Sequence, residues 1–211
     1  MKVLIACERS GTIRDTFIEQ GHTAVSCDLQ DTIKPGPHYK GDVFDIINDG
    51  WDLMIAHPPC TYLTVTGNKW FKPEFKDRFP TREQDRIEAI DFFMKLANAP
   101  ITKIAIENPI GIMSSRWRKP DQVIQPFYFG DEARKATCLW LKGLPLLFHA
   151  KETDLFAEKT HVGQGEIITY KSGKTCAKWY ADAVKLSPQE RMNVRSQTFK
   201  GIADAMGEQW G

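Results

Sequence analysis

The sequence predicts an α/β protein in which helices pack on both faces of a mostly parallel sheet, followed by a small C-terminal appendage. Two observations lead to this prediction. Short apolar segments typical of buried strands alternate with amphipathic helical segments in the first half of the chain, which is the order of successive β-α-β units. The chain also has 211 residues, 42% of them hydrophobic and 26% charged, which suffices for a sizeable core.

Each predicted strand in the first half is a short apolar segment that stops at a polar or turn-forming residue. Residues 2–7 form the first, and the helix after it carries Ile13, Phe17 and Ile18 on one face, with Gly21 just beyond its end. A helix is predicted to begin at Thr81. The remaining predictions here are strands at 23–27, 51–56 and 101–109, with a short turn-helix element at 41–47.

The second half of the chain has a looser pattern. Two later strands are predicted within 123–129 and 136–144, and a hairpin is predicted at 166–180 with its turn at Ser172-Gly173. Two helices are predicted within 187–210. We therefore divide the chain into a catalytic core at 1–150, a small hairpin-containing appendage at 151–186, and C-terminal helices at 187–211 that complete the core.

Charge and cysteine usage narrow the class of protein. The net charge is +1, and no apolar run approaches the roughly 20 residues of a membrane helix, so no membrane association is expected. The five cysteines are odd in number and lack CxxC spacing, which argues against disulfides and a zinc site. We expect a cytoplasmic protein without a metal.

The residues that follow the predicted strands point to a ligand site, because ligands bind at the carboxyl ends of the strands in open parallel sheets. Gly11 opens a helix after the first strand, where backbone can approach a ligand closely. Asp28 stands where such folds place an acid on ribose hydroxyls, and Asp42 can face an adenine amino group. Each also fits an ordinary role in a turn or cap.

A thiol and a carboxyl group end two further strands of the predicted sheet. Cys60 follows two prolines that break the strand before it, so it is a candidate nucleophile, with packing as the ordinary alternative. Glu107 ends an apolar strand, and burial there is expected to raise its pKa. Together they form a recognisable pair for attack on an electron-poor ring.

Several segments, taken in order, resemble the motifs of DNA cytosine-5 methyltransferases. "CERSGTIR" matches the cofactor turn, Pro59-Cys60 the Pro-Cys motif, and Glu107-Asn108-Pro109 the Glu-Asn-Val motif with proline third. Residues 129–137 are similar to the QxRxR segment, with Lys135 in the central slot, and residues 199–209 to the closing helix. Within this family, the sequence as a whole most resembles the short methyltransferase-like proteins encoded by bacteriophages.

This resemblance implies a Rossmann-like fold, S-adenosylmethionine as cofactor, and transfer of a methyl group to C5 of cytosine in DNA. It assigns catalysis to Cys60, Glu107 and Lys135. Substrate binding is assigned to Asn108, Thr61, Lys69 and Arg78. The residues assigned to the cofactor lie after the strands and in the closing helix: Cys7, Glu8, Gly11, Asp28, Asp42, Pro58 and Gly201.

The chain departs from the family in size and leaves two other functions open. Only residues 138–198 stand where a full target-recognition domain is usual, so the substrate is duplex DNA, a single strand, RNA or a free nucleotide, and an oligomer is possible. An amino-group methyltransferase acting on adenine N6 or cytosine N4 is one alternative, because "HPPC" shares its Pro-Pro. A non-catalytic homologue that binds the cofactor or nucleic acid is the other.

Overall fold

A seven-stranded sheet in the order β3-β2-β1-β4-β5-β7-β6 forms the centre of the computed structural model, which describes residues 1–150 and 158–211. The strands of this sheet are β1 Lys2–Ala6, β2 Thr23–Asp28, β3 His38–Lys40, β4 Leu53–Ala56, β5 Lys103–Pro109, β6 Gln122–Ile124 and β7 Thr137–Lys142. The α-helices in the described residues are α1 Thr12–Glu19, α2 Arg82–Ala97, α3 Met113–Arg116, α4 Lys178–Asp182, α5 Pro188–Ser196 and α6 Lys200–Trp210.

The direction of the chain reverses between β1 and β4, at the middle of the sheet. From β1 the chain steps outwards to β2 and β3, and it then returns to pair β4 on the other side of β1. These strands and β5 are parallel, whereas β7 is antiparallel to both of its neighbours. The result is the Rossmann-like α/β fold that the sequence predicts, with a crevice at the switch point outside the carboxyl ends of β1 and β4.

Helices cover both faces of this sheet, because alternate residues of each strand point to opposite faces and both sets are apolar. On one face Val3 and Ile5 pack with α1 and α6, which contribute Phe17 and Trp210. On the other face Leu4 packs in a cluster that includes residues of α2. Within the described part of the chain, every helix is too short or too polar to cross a lipid bilayer.

Several elements differ from the sequence prediction, which lacks the short helices α3 and α4. Strand β3 was not predicted, because it is a short edge strand without apolar alternation. The turn-helix element at 41–47 is only a single 3-10 turn, Val43–Asp45. The strand expected within 123–129 stops at Ile124, and Pro126, which has no N–H to donate to a ladder, begins a 3-10 turn instead.

The predicted hairpin is present and stands apart from the main sheet. It consists of β8 Ile167–Thr169 and β9 Thr175–Ala177, paired antiparallel in a sheet of two strands. Gly173 lies in its turn with φ +76°, a conformation that favours glycine. Residues 151–157, the start of the predicted appendage, lie outside the described residues.

Candidate functional site

A cavity of about 720 Å³ opens at the carboxyl ends of β1, β2, β4 and β5. This volume lies in the range typical of sites for small molecules and cofactors. Most of its wall is formed by residues within 7–10, 27–30, 41–43, 57–61, 107–109 and 192–198, and the rest by Thr12, Ile33, Lys34, Phe92 and Lys135. The cavity therefore joins the turn after β1 to the segments that carry Cys60 and Glu107.

His57 and Glu107 meet in this cavity because of the pairing of β4 with β5. Ala56 is the register partner of Ile106, so the next residue of each strand lies beside the other on the same face of the sheet. His57 Nδ1 is 3.1 Å from Glu107 Oε2, and the two side chains are only 11% and 15% exposed. An ionised carboxylate accepts but does not donate, so Nδ1 carries the hydrogen of this bond.

The pKa of Glu107 lies below its ordinary value, and the expectation of a raised pKa is wrong. Burial does push this pKa upwards, as the apolar strand predicts. The hydrogen bond from His57 and the positive charge of Lys135 lower it, and they prevail. Glu107 is therefore ionised at neutral pH. The apolar strand around Glu107 gives no sign of this pairing, because His57 lies fifty residues away in sequence, just after β4.

Cys60 lies in a turn that begins where β4 ends. Its carbonyl oxygen accepts hydrogen bonds from the backbone N–H groups of Leu63 and Thr64, both at 3.0 Å. Burial raises the pKa of the Cys60 thiol, and the negative charge of Glu107 raises it further, while Lys135 acts in the opposite direction. The thiol is consequently protonated in the resting protein at neutral pH.

The side chain of Asn108 ties this turn to β5. Asn108 is 1% exposed, and its Nδ2 donates to the carbonyl oxygen of Pro58 at 2.7 Å. Because prolines lack an N–H, the Pro58-Pro59 pair cannot donate to a ladder of its own. The amide of Asn108 therefore holds the backbone just before Cys60. Thr61, assigned to the substrate by the resemblance, lines the cavity on the other side of Cys60.

Lys135 reaches the cavity from the loop before β7. Its backbone N–H donates to Gln125 Oε1 at 2.9 Å, which anchors the loop to the residue after β6. Its ammonium group donates to the carbonyl oxygen of Gln197 at 3.1 Å. Since this charge also acts on the pKa values of Cys60 and Glu107, the three groups form one electrostatic unit.

Three acidic residues line the opposite part of the cavity. Glu8 is 5% exposed and uses Oε1 to accept from the N–H of Thr12 at 3.0 Å, while its Oε2 is buried without a partner in the described residues. Asp28 accepts from the N–H of Gln30 at 2.9 Å, and Asp42 caps the 3-10 turn that follows it. Each aspartate thus combines a local turn role with a place on the cavity wall.

The backbone turns sharply where β1 enters the cavity. Cys7 has φ +59°, which is left-handed backbone in a residue other than glycine. Such a conformation costs on the order of 1 kcal/mol and is found preferentially at functional sites. Cys7 and Pro58, both assigned to the cofactor by the resemblance, lie on the cavity wall.

Two glycines assigned to the cofactor lie outside the cavity wall. Gly11 precedes α1 with φ +76°, and a Cβ there would come within 2.5 Å of an Arg14 guanidinium nitrogen. A Cβ on Gly201 would come within 1.8 Å of the carbonyl oxygen of Phe129. Backbone conformation and close packing therefore account for both glycines, without approach of a ligand.

Two basic residues assigned to the substrate also lie outside the cavity wall. Lys69 and Arg78 are exposed, and both stack on the ring of Trp70, at 4.4 Å and 5.7 Å from its centroid. They lie in the connection between β4 and α2, where 3-10 turns replace regular helix. Their positive charges are exposed to solvent beside an aromatic cluster in which the rings of Phe75 and Phe79 pack edge-on against Trp70.

The end of α5 and the residues after it form a wall that the sequence argument missed. Residues 192–198 line the cavity, and Asn193 Oδ1 accepts a hydrogen bond from Arg9 at 3.2 Å. The sequence signal here is a capping box, in which Ser187 and Glu190 start the helix. That signal predicts where α5 begins but not where it packs.

No protein-family model and no curated protein sequence matches this chain. Solved structures do resemble it, among them a methyltransferase from Entamoeba histolytica. That protein is 11% identical, and the superposition has a TM-score of 0.45 and covers 80% of this chain. The matched region spans 58% of that chain. A similarity of this size does not identify a reaction or a substrate.

Proposed function

We propose that the protein is an S-adenosylmethionine-dependent methyltransferase that modifies C5 of cytosine in DNA through a covalent adduct with Cys60. One observation carries this proposal. The thiol of Cys60, the carboxylate of Glu107 and the ammonium of Lys135 line a single cavity, and that cavity continues to three acids at the ends of β1 and β2 and near β3. Cys60, Glu107 and Lys135 suit attack on an electron-poor ring, and the three acids suit a cationic nucleoside cofactor.

The volume of the cavity and its acidic lining support S-adenosylmethionine as the proposed cofactor. The cofactor offers ribose hydroxyls, an adenine amino group and an ammonium group, all of which donate hydrogen bonds. Asp28, Asp42 and Glu8 would accept them, and the unpartnered Oε2 of Glu8 is the strongest sign that a donor belongs there. When bound, the cofactor supplies an electrophilic methyl group.

The residues of this chain would act on the base in a fixed order. Once the cytosine lies in the cavity, the Cys60 thiolate adds to C6, which makes C5 nucleophilic. Glu107, held ionised by His57, accepts from the exocyclic amine at the N3 edge of the ring. Lys135 stabilises the charge that develops at O2. After transfer, the C5 proton leaves to water and the electron pair of the C6–S bond returns to Cys60.

The decisive experiment is a methyl-transfer assay with labelled S-adenosylmethionine on duplex DNA, single-stranded DNA, RNA and free nucleotides, followed by mass analysis of the product nucleosides. We expect 5-methylcytosine from the wild type and none from Cys60→Ala. Cys176→Ala, in the separate hairpin, is the matched control and should retain activity. A substrate with 5-fluorocytosine should trap the adduct.

Three results would contradict the proposal in different ways. Wild-type activity in Cys60→Ala would remove the covalent step. A methyl group on adenine N6 or cytosine N4 would identify an amino-group methyltransferase. Cofactor binding without transfer to any of the substrates would identify a non-catalytic homologue.

Contact with the nucleic acid backbone is proposed for the exposed basic side chains of residues 69–78, which lie beside Trp70. Backbone contacts release counterions, so the affinity should fall steeply as salt rises, and each lost contact should reduce the slope by about 0.7 to 0.9. Binding of Lys69→Ala and Arg78→Ala to single-stranded and duplex DNA across a salt series tests this. Unchanged slopes would place the contact elsewhere.

A further inference from the structure

One nitrogen of His57 is buried without a hydrogen-bond partner in the described residues. The other nitrogen, Nδ1, donates to Glu107 Oε2 at 3.1 Å. A buried polar atom without a partner is uncommon in folded proteins and calls for a specific reason, such as a catalytic role. His57 lines the same cavity as Cys60, which follows it by three residues. Nε2 makes no hydrogen bond to the Cys60 thiol in the structure, so proton transfer between them requires the two groups to move closer.

The bond to Glu107 fixes the chemical character of that free nitrogen. With the hydrogen on Nδ1, the neutral imidazole presents a lone pair at Nε2 and is ready to accept a proton. The imidazolium formed by such a transfer would lie against the ionised carboxylate of Glu107, which stabilises it. Glu107 therefore orients the imidazole as the third group of a nucleophile–base site orients the base.

The resting thiol of Cys60 requires such a base. Burial and Glu107 keep the thiol protonated, and only a thiolate is an effective nucleophile. The other charged and titratable side chains on this wall serve poorly. The cationic groups of Arg9, Lys34, Lys135 and Arg195 have no lone pair to accept a proton, and burial keeps the Cys7 and Cys27 thiols protonated. Asp28 and Asp42 accept hydrogen bonds in their own turns and are the acids proposed for the cofactor. Glu8 accepts through Oε1 from its own turn, and its Oε2 is the acceptor proposed for the cofactor.

We propose that His57 is the general base that removes the thiol proton of Cys60, with Glu107 as the residue that orients it. This inference deepens the proposed function and rests on it for the identity of the base attacked. The S–H bond breaks, the proton moves to Nε2, and the sulfur uses the freed electron pair to bond to C6. When the C6–S bond breaks at the end of the reaction, the pair returns to sulfur and Nε2 returns the proton.

The test is alkylation of Cys60 by iodoacetamide, followed site by site by peptide mass analysis from pH 6 to pH 10.5. We expect His57→Gln to slow the alkylation of Cys60 at pH 7 by roughly tenfold or more, because the amide cannot accept the proton. The difference between the two proteins should shrink as the pH rises towards 10.5, because a growing fraction of the thiol then ionises without a base. His22→Gln, a histidine outside the cavity wall, should behave as wild type throughout.

The outcomes separate this inference from the proposed function. Alkylation needs neither cofactor nor nucleic acid, so a negative methyl-transfer assay leaves it measurable. Equal rates at pH 7, or the same ratio of rates at every pH, would overturn the assignment of His57 as a base. If His57→Gln does not fold by circular dichroism, His57→Asn provides the same comparison with a shorter amide.

In an active preparation, methyl transfer gives a second readout. The kcat of His57→Gln should recover with rising pH, whereas a residue with a purely structural role would lower kcat by a constant factor. Failure of that recovery while the wild type remains active would also contradict the inference.

Discussion

At the scale of single residues, the amide of Asn108 joins β5 to the turn that carries Cys60. It donates to the Pro58 carbonyl oxygen, and it is almost fully buried. The sequence shows only an asparagine after a glutamate. Its partner lies fifty residues away and becomes evident only when β4 and β5 are paired.

We expect Asn108→Ala to destabilise the protein by about 1–3 kcal/mol, because the Pro58 carbonyl would be left buried without a donor. Urea unfolding followed by circular dichroism measures this. Asn98→Ala is the matched control, since the amide of Asn98 also donates to a carbonyl but is exposed. An equal loss in both variants would show that burial of the Asn108 contact is not what matters.

Glu107 should make the stability of the protein depend on pH. Its pKa is lower in the folded chain than the ordinary value of 4.5, so the stabilisation is present above pH 4.5 and is lost as the pH falls through the folded value. Each unit of lowering corresponds to about 1.4 kcal/mol. The free-energy difference between wild type and Glu107→Gln should therefore shrink between pH 6.5 and pH 3.5.

This prediction is measured by urea unfolding at several pH values in that interval. Glu83→Gln on the exposed side of α2 provides the comparison. A wild-type advantage over Glu107→Gln that grows as the pH falls would mean that burial outweighs His57 and Lys135, and that the pKa of Glu107 is raised.

At the scale of elements, the sequence predicts the buried strands well and the short edge elements poorly. Strands β1 and β5 are runs of apolar residues, and their side chains face both helical layers, so hydrophobicity alone identifies them. Strand β3 has three residues and little buried surface, so it forms a strand because it pairs with β2 and not because of its own sequence. Likewise, the place of residues 192–198 on the cavity wall depends on tertiary packing that no local pattern records.

Packing of α6 against the 3-10 turn at Pro126–Phe129 depends on the lack of a side chain at Gly201. Gly201→Ala would place a methyl group within 1.8 Å of the Phe129 carbonyl oxygen, so backbone must move. We expect a loss of roughly 1–3 kcal/mol in thermal or urea unfolding. In Gly163→Ala the nearest neighbour is the Glu132 carboxylate at 3.9 Å, so this control should be near neutral. A Gly201→Ala protein as stable as wild type would contradict this packing.

At the scale of the whole molecule, the cavity gathers the ends of four strands and a C-terminal segment that is distant in sequence. Cys60 and Glu107 could be named from the sequence because each stands at the end of a parallel strand, and parallel strands bring such residues to one edge, whereas Lys135 was named only from the resemblance of its segment. The role of His57 could not be named from the sequence, because a lone histidine has many uses and its partner is set by strand register. Lys69 and Arg78 lie outside the cavity wall, because charge and aromatic content do not say which way a connection folds, and their contact with the substrate stays a prediction.

A ligand that fills the cavity should stabilise the entire fold, because its contacts tie together segments that are far apart along the chain. For S-adenosylhomocysteine at one hundred times its Kd, binding adds about 2.7 kcal/mol. For a chain of this size that corresponds to an increase in Tm of roughly 5–11 °C. Asp28→Asn should reduce the shift at the same concentration, and no shift in the wild type would argue against the proposed cofactor.

The pairing of β4 with β5 has a consequence for which changes the chain can tolerate. Ala56 opposite Ile106 places His57 opposite Glu107, and successive side chains of a strand alternate between faces. Deletion or insertion of one residue within either strand would shift the register by one. His57 or Glu107 would then point to the other face of the sheet or no longer lie opposite its partner, although the composition and the motifs would be almost unchanged. Insertions in the connection from 61 to 81 would leave the pair intact. The chemistry should therefore survive large changes of length between the strands and fail after the smallest change within them.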